Sequence, residues 1–328
     1  MQTTRYRTAW CGLLSVALCW AAGGSAAEWS FRQEPGKSLT LKRAETTVWQ
    51  FHYGADVPKP FFDPVALPDG RNLTWNRPPD HPWHHGLWFA WKFLDKVNYW
   101  EPEGNADQPP GRTEWSDVDV SAHEDGSARI AMKLTYRPAG ERPVLTENRV
   151  VEIAAPDRTG QYHFDWTSTF TAGAKDVELS RTPLEGEPGG VGWGGYAGLS
   201  LRLARALTDR AADTTEGPVE FDQQSRYRGK APAMDYHGLI DGKPVGVAVC
   251  DHPDNLNHPS PWYAIRDEPM SYFSPAVLCY GPYTLKAAKS LTLRYRIIVH
   301  PGRWDAKRLR QQYDRFVGAA TEAVGSRQ

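Results

Sequence analysis

The 328 residues carry 38 Lys and Arg against 39 Asp and Glu, a formal net charge of −1, and 40% of them are hydrophobic. That balance leaves no basic excess to coat a phosphate backbone, so nucleic acid is excluded as an expected partner. Fourteen Trp and an aromatic content of 12% exclude a disordered chain, and the length is ample for a large core.

The chain opens with Arg5 and Arg7, a largely apolar stretch over residues 9–22, and the small residues Ser25, Ala26 and Ala27. This order reads as a secretory signal peptide over residues 1–27, which predicts a periplasmic or secreted protein. The apolar stretch falls short of the ~20 residues that a bilayer span requires. No second candidate follows, so no membrane span is expected after cleavage. The leader holds two Arg and no acid, which puts the mature chain at −3. Cys11 and Cys19 leave with it, and Cys250 and Cys279 remain, either as a disulfide or as two buried thiols. Without a CxxC pair, neither a zinc cluster nor a redox motif is supported.

Strand-type alternation dominates the rest. Thr47, Trp49, Phe51 and Tyr53 share one face, as do Ile130, Met132, Leu134 and Tyr136, then Tyr162, Phe164, Trp166 and Phe170. Val245, Val247 and Val249 follow, then Leu291, Leu293, Tyr295, Ile297 and Val299. Turn residues such as Asp125-Gly126 and Asp241-Gly242 separate the runs. Many short period-two strands predict an all-β fold, a large antiparallel sandwich. One helix is expected, opened by Asp305, with Leu309, Tyr313 and Phe316 on one side, closed by Gly318 and docked on a sheet edge. The expected organisation is a single β-sandwich domain over residues 28–318 and a disordered tail over 319–328. Two segments break the rhythm: residues 58–115, rich in Pro, Trp and His, and residues 185–198, with seven glycines. Long loops on a rigid scaffold are where sites usually sit.

The densest chemistry lies in Arg77 to Phe89, where Asp80, His81, His84 and His85 fall close together. Imidazole exchanges protons near neutral pH and is also the commonest metal ligand. Successive strand residues point to opposite faces, so one of His84 and His85 is expected to be structural unless a bulge re-aims it. The plain alternative is a set of histidines satisfied by backbone carbonyls under a Trp cap. A second cluster, Asp251, His252 and His258 with Trp262, follows the Val245 run, and its Asp-His-Pro repeats Asp80-His81-Pro82. Glu185 opens the glycine-rich segment, which also holds Trp193 and Tyr196. Its Gly190-x-Gly192-x-x-Gly195 matches a dinucleotide fingerprint in letters only, because no βαβ unit surrounds it.

These motifs resemble a bacterial family labelled PmoA-like. The likeness rests on Lys59-Pro60-Phe61-Phe62-x-Pro64, on the run from Asp80 to Phe89, and on Asp251-His252-Pro253-x-Asn255 through His258-Pro259-x-Pro261-Trp262. The copper methane enzyme's subunit of that name is a bundle of membrane helices. A chain with mean hydropathy −0.58 and strand periodicity is not that fold. The resemblance implies instead an exported protein of sugar-catabolising bacteria and a supersandwich like that of galactose mutarotase.

The expected function is acid–base chemistry on a sugar or modified glycoside, of lyase, epimerase or hydrolase type, without a redox cofactor. His84 or His85 is the expected base and His252 its partner acid. Asp80 and Asp251 would orient rings, and Glu185 would be a second carboxylate. Arg77, His81, Tyr196 and His258 are expected substrate contacts, with Trp88 and Trp262 as stacking platforms. One alternative is a Zn or Cu site built from His81, His84, His85, His252 and His258. The other is a glycan-binding module without catalysis, which needs the Trp platforms but no titrating histidine.

Overall fold

The computed structural model describes residues 28–325; the expected leader, residues 1–27, and the last three residues lie outside the described residues. Among the described residues two nine-stranded antiparallel sheets carry most of the chain. The first runs, edge to edge, through Ser30–Glu34, Ser38–Arg43, Thr46–His52, Phe61–Val65, Leu87–Ala90, Gly198–Arg202, Ser271–Pro275, Pro261–Arg266 and Arg226–Lys230. The second runs through Gly217–Pro218, Thr208–Thr214, Ala233–Ile240, Lys243–Asp251, Ser290–Pro301, Tyr162–Ala172, Leu145–Ile153, Ala128–Pro138 and Gly111–Ala122. A small sheet adds Tyr283–Leu285, Val177–Ser180, Phe93–Leu94 and Val97–Asn98.

The alternating runs form the second sheet as their period dictates. Ile130, Met132, Leu134 and Tyr136 are buried, as are Phe164, Trp166 and Phe170, and all face the first sheet. Phe62 reaches across from the first sheet and meets Phe164 at 4.9 Å and Trp166 at 6.2 Å between ring centres. Central strands of the first sheet differ. Leu87–Ala90, Gly198–Arg202 and Ser271–Pro275 are buried at every position. Phe89, Leu199 and Phe273 enter the core between the sheets, while Trp88, Tyr263 and Tyr272 form a separate aromatic cluster on the outer face. That outer face is where the site lies. Residues 58–115, expected as one long irregular segment, supply Phe61–Val65 and Leu87–Ala90 to this sheet.

The expected helix is present as Ala306–Gly325. Asp305 caps it, its carboxylate accepting the Arg308 N–H at 2.7 Å and its carbonyl the Leu309 N–H at 3.0 Å. Leu309, Tyr313 and Phe316 pack on Ala233, Ala248, Cys250 and Ile298, so the helix covers the outer face of the second sheet rather than an edge. It also runs through Gly318, where the sequence predicts its end and the start of the tail. A lone glycine costs a helix only about 1 kcal/mol. Cys250 and Cys279 are free, buried thiols. No helix among the described residues is long and apolar enough to cross a membrane.

Phe62 joins the two sheets at full burial, which makes it a test of their packing. Phe62→Ala is expected to cost about 3–5 kcal/mol, read as a lower urea midpoint at unchanged slope.

Candidate functional site

Three prolines, Pro78, Pro79 and Pro82, bend the histidine segment into consecutive turns. The His81 N–H reaches the Pro78 carbonyl and the His84 N–H reaches the His81 carbonyl, both at 3.0 Å. The Arg77 N–H closes the loop on the His84 carbonyl at 2.8 Å. Gly86 then takes φ +65°, and a Cβ there would press on the Phe62 carbonyl and the Asp63 side chain. Arg202 fastens this loop to the sheet. Its N–H donates to the Gly86 carbonyl at 2.7 Å, and its carbonyl accepts the Trp75 N–H at 3.0 Å. Its fully buried guanidinium Nη2 donates to both oxygens of Asp80, at 2.8 and 2.6 Å.

Beside this loop the outer face of the first sheet holds a hollow of about 430 Å³. Its walls are Trp83, Trp100, Trp193, Tyr196, Tyr263 and Tyr272. Ile265 and Met270 complete its apolar lining, and His81, His84, Glu101 and Arg226 supply its charged or titratable groups. The volume and the apolar wall with few polar groups suit a small organic ligand.

The two imidazoles lie 4.7 Å apart between ring centres but have opposite partners. His81 Nδ1 is 2.8 Å from an Asp80 oxygen. An ionised carboxylate only accepts, so Nδ1 carries the proton and Nε2 keeps a lone pair. Partial burial would raise the Asp80 carboxyl, but the bonds from Arg202 and His81 prevail and hold it below the usual carboxylate range. His84 Nδ1 instead faces Arg202 Nη1 at 3.5 Å. A guanidinium only donates, so here Nδ1 is the acceptor and the proton sits on Nε2. Burial, then the charges of His81 and Arg202, hold His84 well below the ordinary imidazole value, so it stays neutral.

Several polar atoms around the hollow lack partners. Glu101 accepts from Lys92 and from Asn98 Nδ2 through one oxygen, leaving Oε2 unpaired. Lys59 lies nearby, donating to the Trp100 carbonyl at 3.0 Å, and burial brings it down to about 8 despite Glu101. The Tyr263 hydroxyl and Arg226 Nε, buried neighbours, make no hydrogen bond of ordinary geometry. The glycine-rich loop is pinned by Arg228, whose Nη2 donates to the Gly192 and Gly194 carbonyls at 2.7 and 2.9 Å. A Cβ at Gly194 would overlap the Pro183 carbonyl, so only glycine lets the loop fold this tightly. The pinning places Trp193 and Tyr196 in the wall.

Of the residues singled out from the sequence, His81, His84 and Tyr196 line the hollow, with Asp80 behind His81. His85 does not open into it: the ring stacks on Phe61 at 4.7 Å and bonds Asn76 at 3.0 Å. The second histidine cluster is elsewhere. Residues 252–260 cross the end of the sandwich, and their imidazoles turn onto the helix. His252 meets Phe316 edge-on at 5.6 Å, and His258 stacks with Tyr313 at 6.5 Å. Asp251 is occupied with His258 at 2.7 Å and Asn255 at 2.7 Å. The expected pairing of His84 or His85 with His252 therefore does not form, because the strand leading into the second cluster belongs to the other sheet. Trp88 and Trp262 are fully buried, one behind His84 and one in the main core, so neither is an open platform. Arg77 and Glu185 are exposed and line no part of the hollow. The five histidines weighed as metal ligands do not converge, and among the described residues no three His, Cys, Asp or Glu are placed to hold an ion. Glu101, Arg226, Tyr263 and Tyr272 were not foreseen; the adjacency of Glu101 to Trp100 was the one local signal.

A wider groove of about 720 Å³ lies by Tyr53, Tyr99, Arg112 and Trp115. Trp115 Nε1 donates to the Tyr53 carbonyl and Arg112 to the Pro109 carbonyl, and no histidine lines this groove.

Burial foremost, then the charges of Lys59 and Arg77, also keeps His85 well below its ordinary value. The unfolded chain protonates both imidazoles below about pH 6.5, whereas the folded chain does not. The unfolded state then binds more protons, so their stabilisation is complete above that pH and is lost as the pH falls toward the depressed values. The urea midpoint is expected to drop between pH 7 and 5. In His85→Phe, which keeps an aromatic stack on Phe61, the drop should be shallower.

The galactose mutarotase-related enzyme of Lactobacillus acidophilus is 10% identical, with a TM-score of 0.36 over 83% of this chain and 97% of that one. A polysaccharide lyase is 12% identical, with a TM-score of 0.30 over 84% of this chain and 33% of that one. No curated protein matches the sequence. A family model matches residues 38–314, and the chain belongs to that family of unknown function, DUF6807.

Proposed function

We propose that the hollow takes up one sugar unit of a carbohydrate and that His81 and His84 perform acid–base chemistry on it, of lyase, epimerase or hydrolase type. The observation that carries this reading is the opposite setting of two neighbouring imidazoles inside an aromatic wall. Asp80 fixes the His81 tautomer with the proton on Nδ1, so Nε2 is the base. Arg202 fixes the other tautomer in His84 and opposes its protonation, so Nε2–H is a neutral donor. In the reaction His81 removes a proton from the substrate or from a bound water. His84 donates a hydrogen bond to the oxygen on which negative charge develops. The scheme needs both partners fixed before substrate arrives, and the doubly bonded Asp80–Arg202 pair supplies that.

Aromatic rings suit the C–H-rich faces of sugars, and Trp193 at the rim combines an apolar ring with a polar edge. The resemblance of the Asp80–Phe89 motif to PmoA-like proteins supports the same direction, toward an exported protein handling sugars. Export through a cleaved leader belongs to this reading. No redox cofactor is required by the scheme.

The test is turnover of a panel of plant and algal oligosaccharides, followed by mass spectrometry of the products. His81→Ala and His84→Ala are each expected to lose about 10²–10⁴-fold in rate. His84→Gln, whose amide still donates, should retain more than His84→Ala. His252→Ala, which lies under the helix, should keep full turnover. Full turnover in His81→Ala would remove the proposed base.

A further inference from the structure

Beyond the hollow, its sheet ends in the edge strand Arg226–Lys230. Alternation puts Arg226, Arg228 and Lys230 on one side of that strand, and it is the side of the hollow. Arg226 lines the hollow, the Arg228 guanidinium lies 4.6 Å from the centre of the Tyr263 ring, and the Lys230 ammonium lies 5.8 Å from that of Tyr280. No carboxylate among the described residues pairs with any of the three. Asp222 bonds the Arg226 backbone N–H and not its guanidinium, which lies beside the Tyr263 hydroxyl.

The row ends at a second, smaller cavity of about 150 Å³ beside Lys230 and Tyr280. From Arg226 to Lys230 the strand spans ~13 Å at ~3.3 Å per residue, the reach of a short oligosaccharide rather than a single sugar. Trp193 and Tyr280, at 56% and 51%, are the exposed large hydrophobic residues among the described residues, and they stand at the two ends of this track.

Charges on an edge strand also discourage pairing with other chains. That role leaves unexplained the Tyr263 hydroxyl, buried in the wall of the hollow at 1% exposure, which has Arg226 beside it and no acceptor for its own proton in ordinary geometry. An anionic group bound there would accept from both Arg226 and Tyr263. Of the charged groups lining the hollow, Glu101 is paired from behind with Lys92, which leaves the Arg226 charge without a carboxylate partner there.

We infer that the hollow and the Arg226–Arg228–Lys230 row form one binding track for an acidic glycan, its sugars bearing carboxylate or sulfate groups. Arg226 and Tyr263 hold the anionic group of the sugar in the hollow. Lys230 and Tyr280 hold a neighbouring unit, and Arg228 contributes charge while holding the loop. The inference rests on the sugar-binding reading of the hollow and names its substrate class.

The test is quenching of tryptophan fluorescence, since three Trp line the hollow, with galacturonate, tetragalacturonate, a sulfated carrageenan tetrasaccharide and neutral galactotetraose as probes. One or both acidic tetramers are expected to bind at least tenfold more tightly than galactotetraose, more weakly as salt is raised. The arm that binds distinguishes carboxylate from sulfate. Arg226→Gln should cut that preference several-fold while leaving weak neutral binding, and Arg226→Lys should restore part of it. Lys230→Gln should weaken tetragalacturonate and leave galacturonate unchanged if carboxylate is the group read. Equal binding of acidic and neutral tetramers, or an acidic preference undiminished by Arg226→Gln, overturns the track but leaves the sugar site. If no probe binds, the sugar reading falls and the track with it.

Discussion

Everything in the site hangs on one buried cation. Arg202 is fully enclosed, and its guanidinium is tolerated there because Nη2 is met by Asp80 and the Pro269 carbonyl and Nη1 by His84 and Met270, while Nε is left without a partner. The same residue joins the histidine loop to the sheet through its own backbone in both directions. Side chain and main chain thus impose a single position on the loop. Taking Arg202 away would leave Asp80 free to turn, and with it the tautomers of both imidazoles. The chemistry proposed for the hollow is therefore decided one layer beneath it, by a residue that does not line it.

The fold was largely legible in the sequence, for a physical reason. Strands of the second sheet are covered well on one face and less on the other, and a period of two follows directly, as in Ala128–Pro138 and Tyr162–Ala172. Asp305 was readable as the helix start because a cap is a local arrangement of one side chain and the backbone N–H groups just after it. The docking of that helix on a face rather than an edge was not readable, since it depends on which strands lie side by side.

The site was legible only in part. Asp80, His81 and His84 stand close in the chain and are brought together by turns, so their association is local. The expected meeting of His84 with His252 needed two distant strands to share a sheet, and no short-range pattern encodes strand order. Trp88 and Trp262 illustrate a second difficulty. The first sheet is buried on both sides, by the core and by the aromatic cluster, so alternation gives parity without saying which parity faces the hollow. Tyr263, one residue from Trp262, is the ring that lines it. Arg202 gave no signal at all, being a lone arginine in an apolar run.

Arg228 carries two duties at once. Its guanidinium holds the Gly192–Gly194 turn in place, and its charge adds to the field felt by anything seated below Trp193. A change there would alter contour and polarity together. Evolution of a new preference in this family would accordingly find those two properties hard to tune separately, and the easier routes to novelty lie at the unencumbered ends of the strand.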